Sequence, residues 1–169
     1  DGLRFFESII DEIVVLPQKI KDELWASAIF VEAKKGDFIL EQGKTERFVC
    51  FLTAGSIRAF QQDIDKEITI EFLGEGEFVT AYSSYISQMP SPFSMQMMEK
   101  GSVIKFPKTV IDQLYEKSHL FERLGRLLAE GAYFRRTQHE TEVLMSTAEE
   151  RYWLMVDRNA ELVQKIPVK

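Results

Sequence analysis

The chain has 169 residues, 45% of them apolar and 28% charged, a composition that supports one to one and a half globular domains able to bury their own core. No uncharged apolar run approaches the ~18 to 20 residues that cross a bilayer, and the opening Asp1-Gly2-Leu3-Arg4 lacks the basic flank of a secretory signal, so a cytoplasmic location with no membrane partner is expected. The net charge of −6 excludes a globally basic nucleic-acid binder, and the single cysteine, Cys50, excludes an internal disulfide and fits a reducing compartment.

Over residues 1–27, apolar side chains recur three or four apart at Phe6, Ile9, Ile10 and Ile13 and again at Ile20 and Leu24, and Pro17 stands where a helix can begin. Two short amphipathic helices are expected there.

Residues 28–116 read as a β-rich unit. Short apolar or alternating runs are punctuated by Gly36, Gly43, Gly55, Gly74, Gly76 and Gly101, each expected where the chain turns through positive φ. Ile68, Ile70 and Phe72 alternate with Thr69 and Glu71, and Phe93, Met95 and Met97 with Ser94 and Gln96, so each run should bury one face. The more continuously apolar stretch from Arg47 to Leu52 is expected to be a central strand. Asp63 and Asp65, flanking Ile64 before Lys66, suit a hairpin turn better than a catalytic carboxylate pair. Pro107 then opens a short helix through Tyr115, with Val110, Ile111 and Leu114 as its apolar face.

Residues 117–145 contain no proline and predict one long helix. Leu120, Leu124, Leu127, Gly131 and Phe134 fall on a seam of two good heptads, the pattern of a helix that meets a partner helix, and the seam degrades at Gln138 and Thr141. A homodimer through this seam is expected. In residues 146–169, Ser146-Thr147-Ala148-Glu149-Glu150 reads as a capping box in either of two registers, opening a further helix through about Arg158. The fold class is therefore α+β: a compact roll of antiparallel strands flanked by short helices and followed by a long helix.

Several runs carry a family likeness. Lys35-Gly36-Asp37-Phe38-Ile39-Leu40-Glu41-Gln42-Gly43, then Phe51-Leu52-Thr53-Ala54-Gly55-Ser56-Ile57-Arg58, then Leu73-Gly74-Glu75-Gly76-Glu77-Phe78, resemble in order and spacing the cyclic-nucleotide-binding β-roll of CRP/FNR-type bacterial transcription regulators. The likeness continues through the long helix into Thr147-Ala148-Glu149-Glu150-Arg151-Tyr152, which is similar to the opening of that family's DNA-binding domain. It implies an α+β fold, an antiparallel double-stranded β-helix or jelly-roll-like β-roll flanked by short helices and followed by a long dimerisation helix, and a sensor that dimerises through that helix and positions a C-terminal winged helix-turn-helix, begun in residues 146–169, on a palindromic site. The rest of that reader is expected beyond Ile166-Pro167-Val168-Lys169, with DNA as its partner.

The resemblance also locates an effector pocket. In members that bind cyclic AMP, a Gly-Glu pair precedes a short helix and an Arg-Ser pair follows about ten residues on, the Glu holding the ribose hydroxyl and the Arg the cyclic phosphate. Matched from Gly76-Glu77-Phe78, this chain has Thr80-Ala81, followed by Tyr82, and Ser91-Pro92, followed by Phe93. Both charged anchors are missing, so cyclic-nucleotide binding is not expected in its usual form and no cofactor is assigned. On the long helix, Arg136 and Thr137 stand near where family members contact the base, and Arg58 lies on a roll strand; these are open alternatives for an anion, against a solvated helix face or ion pairs with Glu140 or Glu142.

Met89, Met95, Met97 and Met98, with Tyr82, Tyr85 and Phe93, suit either an apolar effector pocket or an ordinary core, the core being the commoner use of such a pattern. His119 and His139 have no ligand cluster at metal spacing, and no catalytic residue or metal site is expected. Two other function classes stand beside the regulator. One is a cyclic-nucleotide-type regulatory module of another effector protein without a DNA reader. The other is a cupin-like enzyme, which needs clustered histidine ligands that the stretch from Ile29 to Phe106 does not contain.

Overall fold

The computed structural model describes residues 2–64, 66–145, 147, 149, 150 and 153. Two helices, α1 (Gly2–Asp11) and α2 (Gln18–Ala26), precede strands β1 (Ile29–Ala33), β2 (Phe38–Leu40), β3 (Phe48–Ala54), β4 (Ile57–Asp63) and β5 (Lys66–Leu73). Then follow α3 (Tyr82–Ser87), β6 (Ser94–Met97), β7 (Gly101–Pro107), α4 (Lys108–Lys117) and α5 (His119–Met145). Pro17 and Pro107 each stand immediately before a helix, where a fixed φ near −60° and a missing N–H cost nothing. Among the described residues no helix is long and apolar enough to cross a membrane.

The strands form two antiparallel sheets, ordered β1-β7-β3 and β2-β6-β4-β5. Between them the roll is filled by Ala33, Ile39, Cys50, Leu52, Ile57, Ala59, Leu73, Val79, Met95, Met97 and Val103, all buried. This is the antiparallel β-roll that the sequence predicts, with flanking short helices and a long last helix.

Strand β3 is apolar on both faces for a reason. Cys50 and Leu52 enter the roll, while Phe51 faces the N-terminal helices, where Phe6 of α1 meets it edge to face at 5.0 Å and also touches Trp25, Phe78 and Phe106. The expectation that β3 lies centrally needs correction. The middle strand of its sheet is β7, and the outer edge of β3 is closed by the irregular segment 76–79, through Leu52 N–H to Glu77 O (3.0 Å), Gly76 N–H to Leu52 O (2.9 Å) and Val79 N–H to Cys50 O (2.8 Å). Helix α1 is pinned to α2 by Lys21, whose buried ammonium donates to Glu7 and Asp11, each at 2.7 Å.

Three further expectations change. Ile68 and Ile70 are 57% and 42% exposed, on the edge strand β5, which is exposed from Lys66 to Glu71 and becomes buried only at Leu73. Gly74 and Gly101 do not adopt positive φ; a side chain at Gly101 would collide with the backbone of Ala54, so close strand approach, not turn geometry, requires that glycine. In β6, Ser94 is buried along with Met95 and Met97, its hydroxyl accepting the Gln42 N–H at 2.9 Å. Asp63 serves the hairpin, accepting the Ile64 N–H, while Asp65 lies outside the described residues.

The chain divides into two compact units, Asp1–Glu122 and Arg123–Lys169. In the second, Thr147 and Glu150 form the reciprocal cap in one of the two registers left open: Thr147 N–H donates to Glu150 Oε2 (2.7 Å) and Glu150 N–H to Thr147 Oγ1 (3.3 Å). Glu149, Glu150 and Trp153 are helical, while Ala148, Arg151 and Tyr152 of the DNA-binding opening and the rest of the helix expected to about Arg158 lie outside the described residues.

The two apolar positions that sequence pattern treats alike should respond very differently. Phe51→Ala is expected to cost about 3–5 kcal/mol in denaturant unfolding, and Ile68→Ala no more than about 0.5 kcal/mol.

Candidate functional site

The segment leading into α3 is held by β3. Thr80 Oγ1 accepts the Cys50 N–H at 2.9 Å, extending the strand-edge pairing by one side chain, and Ala81 follows, fully buried, as the residue before α3. A Cβ is all that Ala81 contributes to the core beneath it. Tyr82 is exposed and stacks on Tyr85 with ring centroids 6.1 Å apart.

The segment leaving α3 is held by the β2–β3 turn. Gln88 ends the helix at φ 57°, in the left-handed region. Ser91 is buried, its backbone exchanges two bonds of 2.8 Å with Gly43 and Lys44, and its hydroxyl donates to Phe93 O at 2.7 Å. Pro92 is exposed and Phe93 half-buried. Thr80 and Ser91 are thus brought onto one stretch of chain, residues 43–50, with their hydroxyls spent on it or on their own segment. Arg58 does not offer a free cation either: its guanidinium pairs with Glu67 at 2.8 Å and lies 4.1 Å over the Phe60 ring.

The methionines separate. Met95 and Met97 are roll core, Met98 is half-buried and Met89 exposed, so they do not form one apolar pocket wall. On α5, Arg136 Nε donates to Glu140 Oε1 at 3.0 Å and the Thr137 hydroxyl to Tyr133 O at 2.7 Å, which is the ion-paired alternative. Of the expected seam, Leu124 is buried, Leu127 and Gly131 are half-buried, Leu120 is exposed and Phe134 is 62% exposed. His119 is exposed with Nδ1 3.3 Å from Glu122, and the side chain of His139 lies outside the described residues. Among the described residues no group of three His, Cys, Asp or Glu side chains could hold a metal ion.

Sequence reasoning misses Glu46. It is 3% exposed, and its Oε1 accepts both the Arg47 and Phe48 N–H groups at 3.0 Å. Its own N–H donates to Ser84 Oγ (3.0 Å) and its C=O accepts from Gln88 Nε2 (3.2 Å), so it ties α3 to the start of β3. The second oxygen, Oε2, is sealed from solvent without a well-formed hydrogen bond, although the Ala81 backbone helps to hold its charge. Burial is the leading influence and raises the Glu46 pKa above the usual carboxylate range. Nothing local marks a glutamate between Thr45 and Arg47 as buried; the signal lies in contacts made forty residues away. Burial likewise pushes up the Cys50 thiol and the Tyr85 phenol, and takes Tyr115 to about 12.

Residues 30–118 match the cyclic nucleotide-binding domain family. No curated protein matches the chain significantly. Among solved structures, the Thermus thermophilus catabolite activator protein is similar with a TM-score of 0.61 at 20% identity, over 77% of this chain and 60% of that one. The sensor domain of the transcriptional regulator DNR from Pseudomonas aeruginosa gives 0.65 at 18% identity, over 86% and 93%. The regulatory domain of Toxoplasma gondii PKA, solved with cAMP, gives 0.61 at 14%, over 78% and 47%. The chain thus spans about three fifths of the activator protein and about half of the kinase regulatory domain.

The buried, electrically disfavoured thiolate of Cys50 makes a direct test of this packing. Cys50 is expected to resist a thiol reagent at pH 8 in the folded protein and to react fully once denaturant unfolds it; rapid labelling of the folded chain would show that β3 is open at its edge.

Proposed function

The chain belongs to the cyclic nucleotide-binding domain family, and from that premise we propose that it is the effector-sensing and dimerising part of a CRP/FNR-type DNA-binding transcription regulator. The observation that carries the reading is α5, a 27-residue helix that follows the roll and leaves Tyr133 and Phe134 exposed. Large aromatic side chains on one long helix are the residues a second copy would cover. Likeness to the catabolite activator protein and to the DNR sensor domain supports the same reading. In this reading an effector held by the roll biases how two α5 helices pack, and that packing sets the geometry of the winged helix-turn-helix DNA readers of which residues 146–169 are the start.

The effector is not cyclic AMP bound in the usual way. At the positions of the two anchors stand Thr80-Ala81 and Ser91-Pro92, neutral and already hydrogen-bonded. A phosphate set against them would be desolvated without a cation, and a ribose hydroxyl would find a methyl group at Ala81. The candidate effector residues on the roll therefore remain Thr80, Ala81, Tyr82, Ser91, Pro92 and Phe93, for a ligand of other chemistry, while on α5 Arg136 is taken up by Glu140 and Thr137 by Tyr133. The fold likeness to a kinase regulatory domain equals that to the activator protein, which supports a second reading, a regulatory module without DNA binding.

Two measurements test this. Calorimetric titration with cyclic AMP and cyclic GMP is expected to give no heat, and micromolar binding would overturn the assignment of lost anchors. Sedimentation at micromolar concentration is expected to give a dimer that Phe134→Glu weakens by about 2 kcal/mol or more; a monomeric parent chain would overturn the dimer.

A further inference from the structure

We propose that residues 79–91 form a strap over the roll that the buried carboxylate of Glu46 biases toward opening, so that the strap closes more firmly when Glu46 carries a proton. The strap is fastened to residues 43–50 by discrete bonds: Val79 N–H to Cys50 O, Cys50 N–H to Thr80 Oγ1, Glu46 N–H to Ser84 Oγ, Gln88 Nε2 to Glu46 O, and the pair between Ser91 and the Gly43-Lys44 turn. Most of these join neutral groups and do not change with pH. Glu46 is the ionisable residue at the centre of the fastening, and its Oε2 is sealed in without a well-formed hydrogen bond, the Ala81 backbone of the strap offsetting only part of the burial that disfavours its charge.

A charge in that position is costly because water is excluded and the compensation is partial. On one side it faces Cys50 of β3 and Lys105 of β7, strands whose Cys50, Leu52, Val103 and Phe106 are locked in the core. On the other lies α3, six residues long, with Ser83, Ile86 and Ser87 exposed and a non-glycine residue, Gln88, held at φ 57° where it ends. Lifting α3 rehydrates the carboxylate and releases Gln88 from a backbone conformation that costs on its own, whereas moving the strands would break the core.

The sign follows from linkage. Closed, Glu46 holds its proton more tightly than an ordinary carboxylate; opened, it returns to the ordinary value, so closure weakens as pH rises between the two and is level above them. The groups that face Glu46 are Lys105 on β7, which favours its charge, and Cys50 on β3 and Tyr85 on α3. Burial keeps the thiol and the phenol neutral through this range, so neither supplies a competing titration.

Amide hydrogen exchange on the 169-residue chain between pH 4.5 and 8, corrected for intrinsic rates, reads the strap directly. Protection of the Tyr85, Gln88 and Ser91 amides, relative to those of Val103 to Phe106, is expected to fall about tenfold for each pH unit separating the closed and open values, then to level off. Glu46→Gln, which keeps size and an acceptor for Arg47 and Phe48, is expected to raise strap protection at pH 7 and abolish its pH dependence. Gln88→Ala is expected to lower protection at every pH with the slope retained. A wild-type profile without slope overturns the proposal, as does a Glu46→Gln chain that keeps the slope or loses protection equally at all pH. If that variant does not fold, the carboxyl carbon shift of Glu46 in the wild-type chain decides, since a midpoint at or below the ordinary carboxylate value overturns the proposal.

Discussion

Closing the outer edge of β3 is the constraint from which the rest of the roll's geometry follows. Strand β3 is buried on both faces, so an open row of N–H and C=O groups along its edge would be costly. Among the described residues no regular strand pairs with that edge, β7 lying on the other. Residues 76–80 close it instead, with Gly76 at positive φ allowing the chain to turn back onto the strand, and Thr80 adding a side-chain hydroxyl where the backbone diverges. Once that segment is pinned, Ala81 is driven into the core, α3 starts where Tyr82 emerges, and the chain returns through Ser91 to the β2–β3 turn. The candidate site is thus placed by a hydrogen-bonding requirement of a neighbouring strand.

Much of the fold is legible in the sequence because it rests on local chemistry. Pro17 and Pro107 mark helix starts, the period of Phe6 and Ile10 sets the face of α1, and the alternation of Met95 and Met97 sets the inner face of β6. What misleads is pattern without context. Ile68 and Ile70 alternate as well as any buried strand, but whether an apolar face is covered depends on what lies opposite it, and β5 is at the sheet's edge. The continuous run of β3 correctly signals burial on two faces, yet two-sided burial does not require two strand neighbours when helices cover one face and a loop seals the edge.

The site shows the same division. That Thr80-Ala81 and Ser91-Pro92 lack charge can be read from the letters alone. That the Ser91 hydroxyl is spent on Phe93 and that Arg58 is neutralised by Glu67 across the β4–β5 hairpin depend on the local course of the backbone, while the commitment of Thr80 to Cys50 and the tie of buried Glu46 to Ser84 and Gln88 depend on partners distant in sequence. These contacts turn an absence of anchors into a positive statement about chemistry. The segment has been made self-sufficient in hydrogen bonds, and any molecule recognised there must add to that arrangement or displace part of it.

The central place of β7 has a consequence for how the chain reaches its fold. Strand β7 is the last of the described strands, yet it lies between β1, the first, and β3. A chain emerging from synthesis therefore holds β1 and β3 without the strand that joins them, and their sheet forms only after Pro107 has been made. Assembly of that sheet is a late, long-range event dominated by loop closure and not by growth from the N-terminus, so the roll belongs with slowly folding topologies of high contact order. Until β7 arrives, the two-faced apolar run from Phe48 to Leu52 has no permanent neighbour, and that interval is when the chain is most open to misassociation.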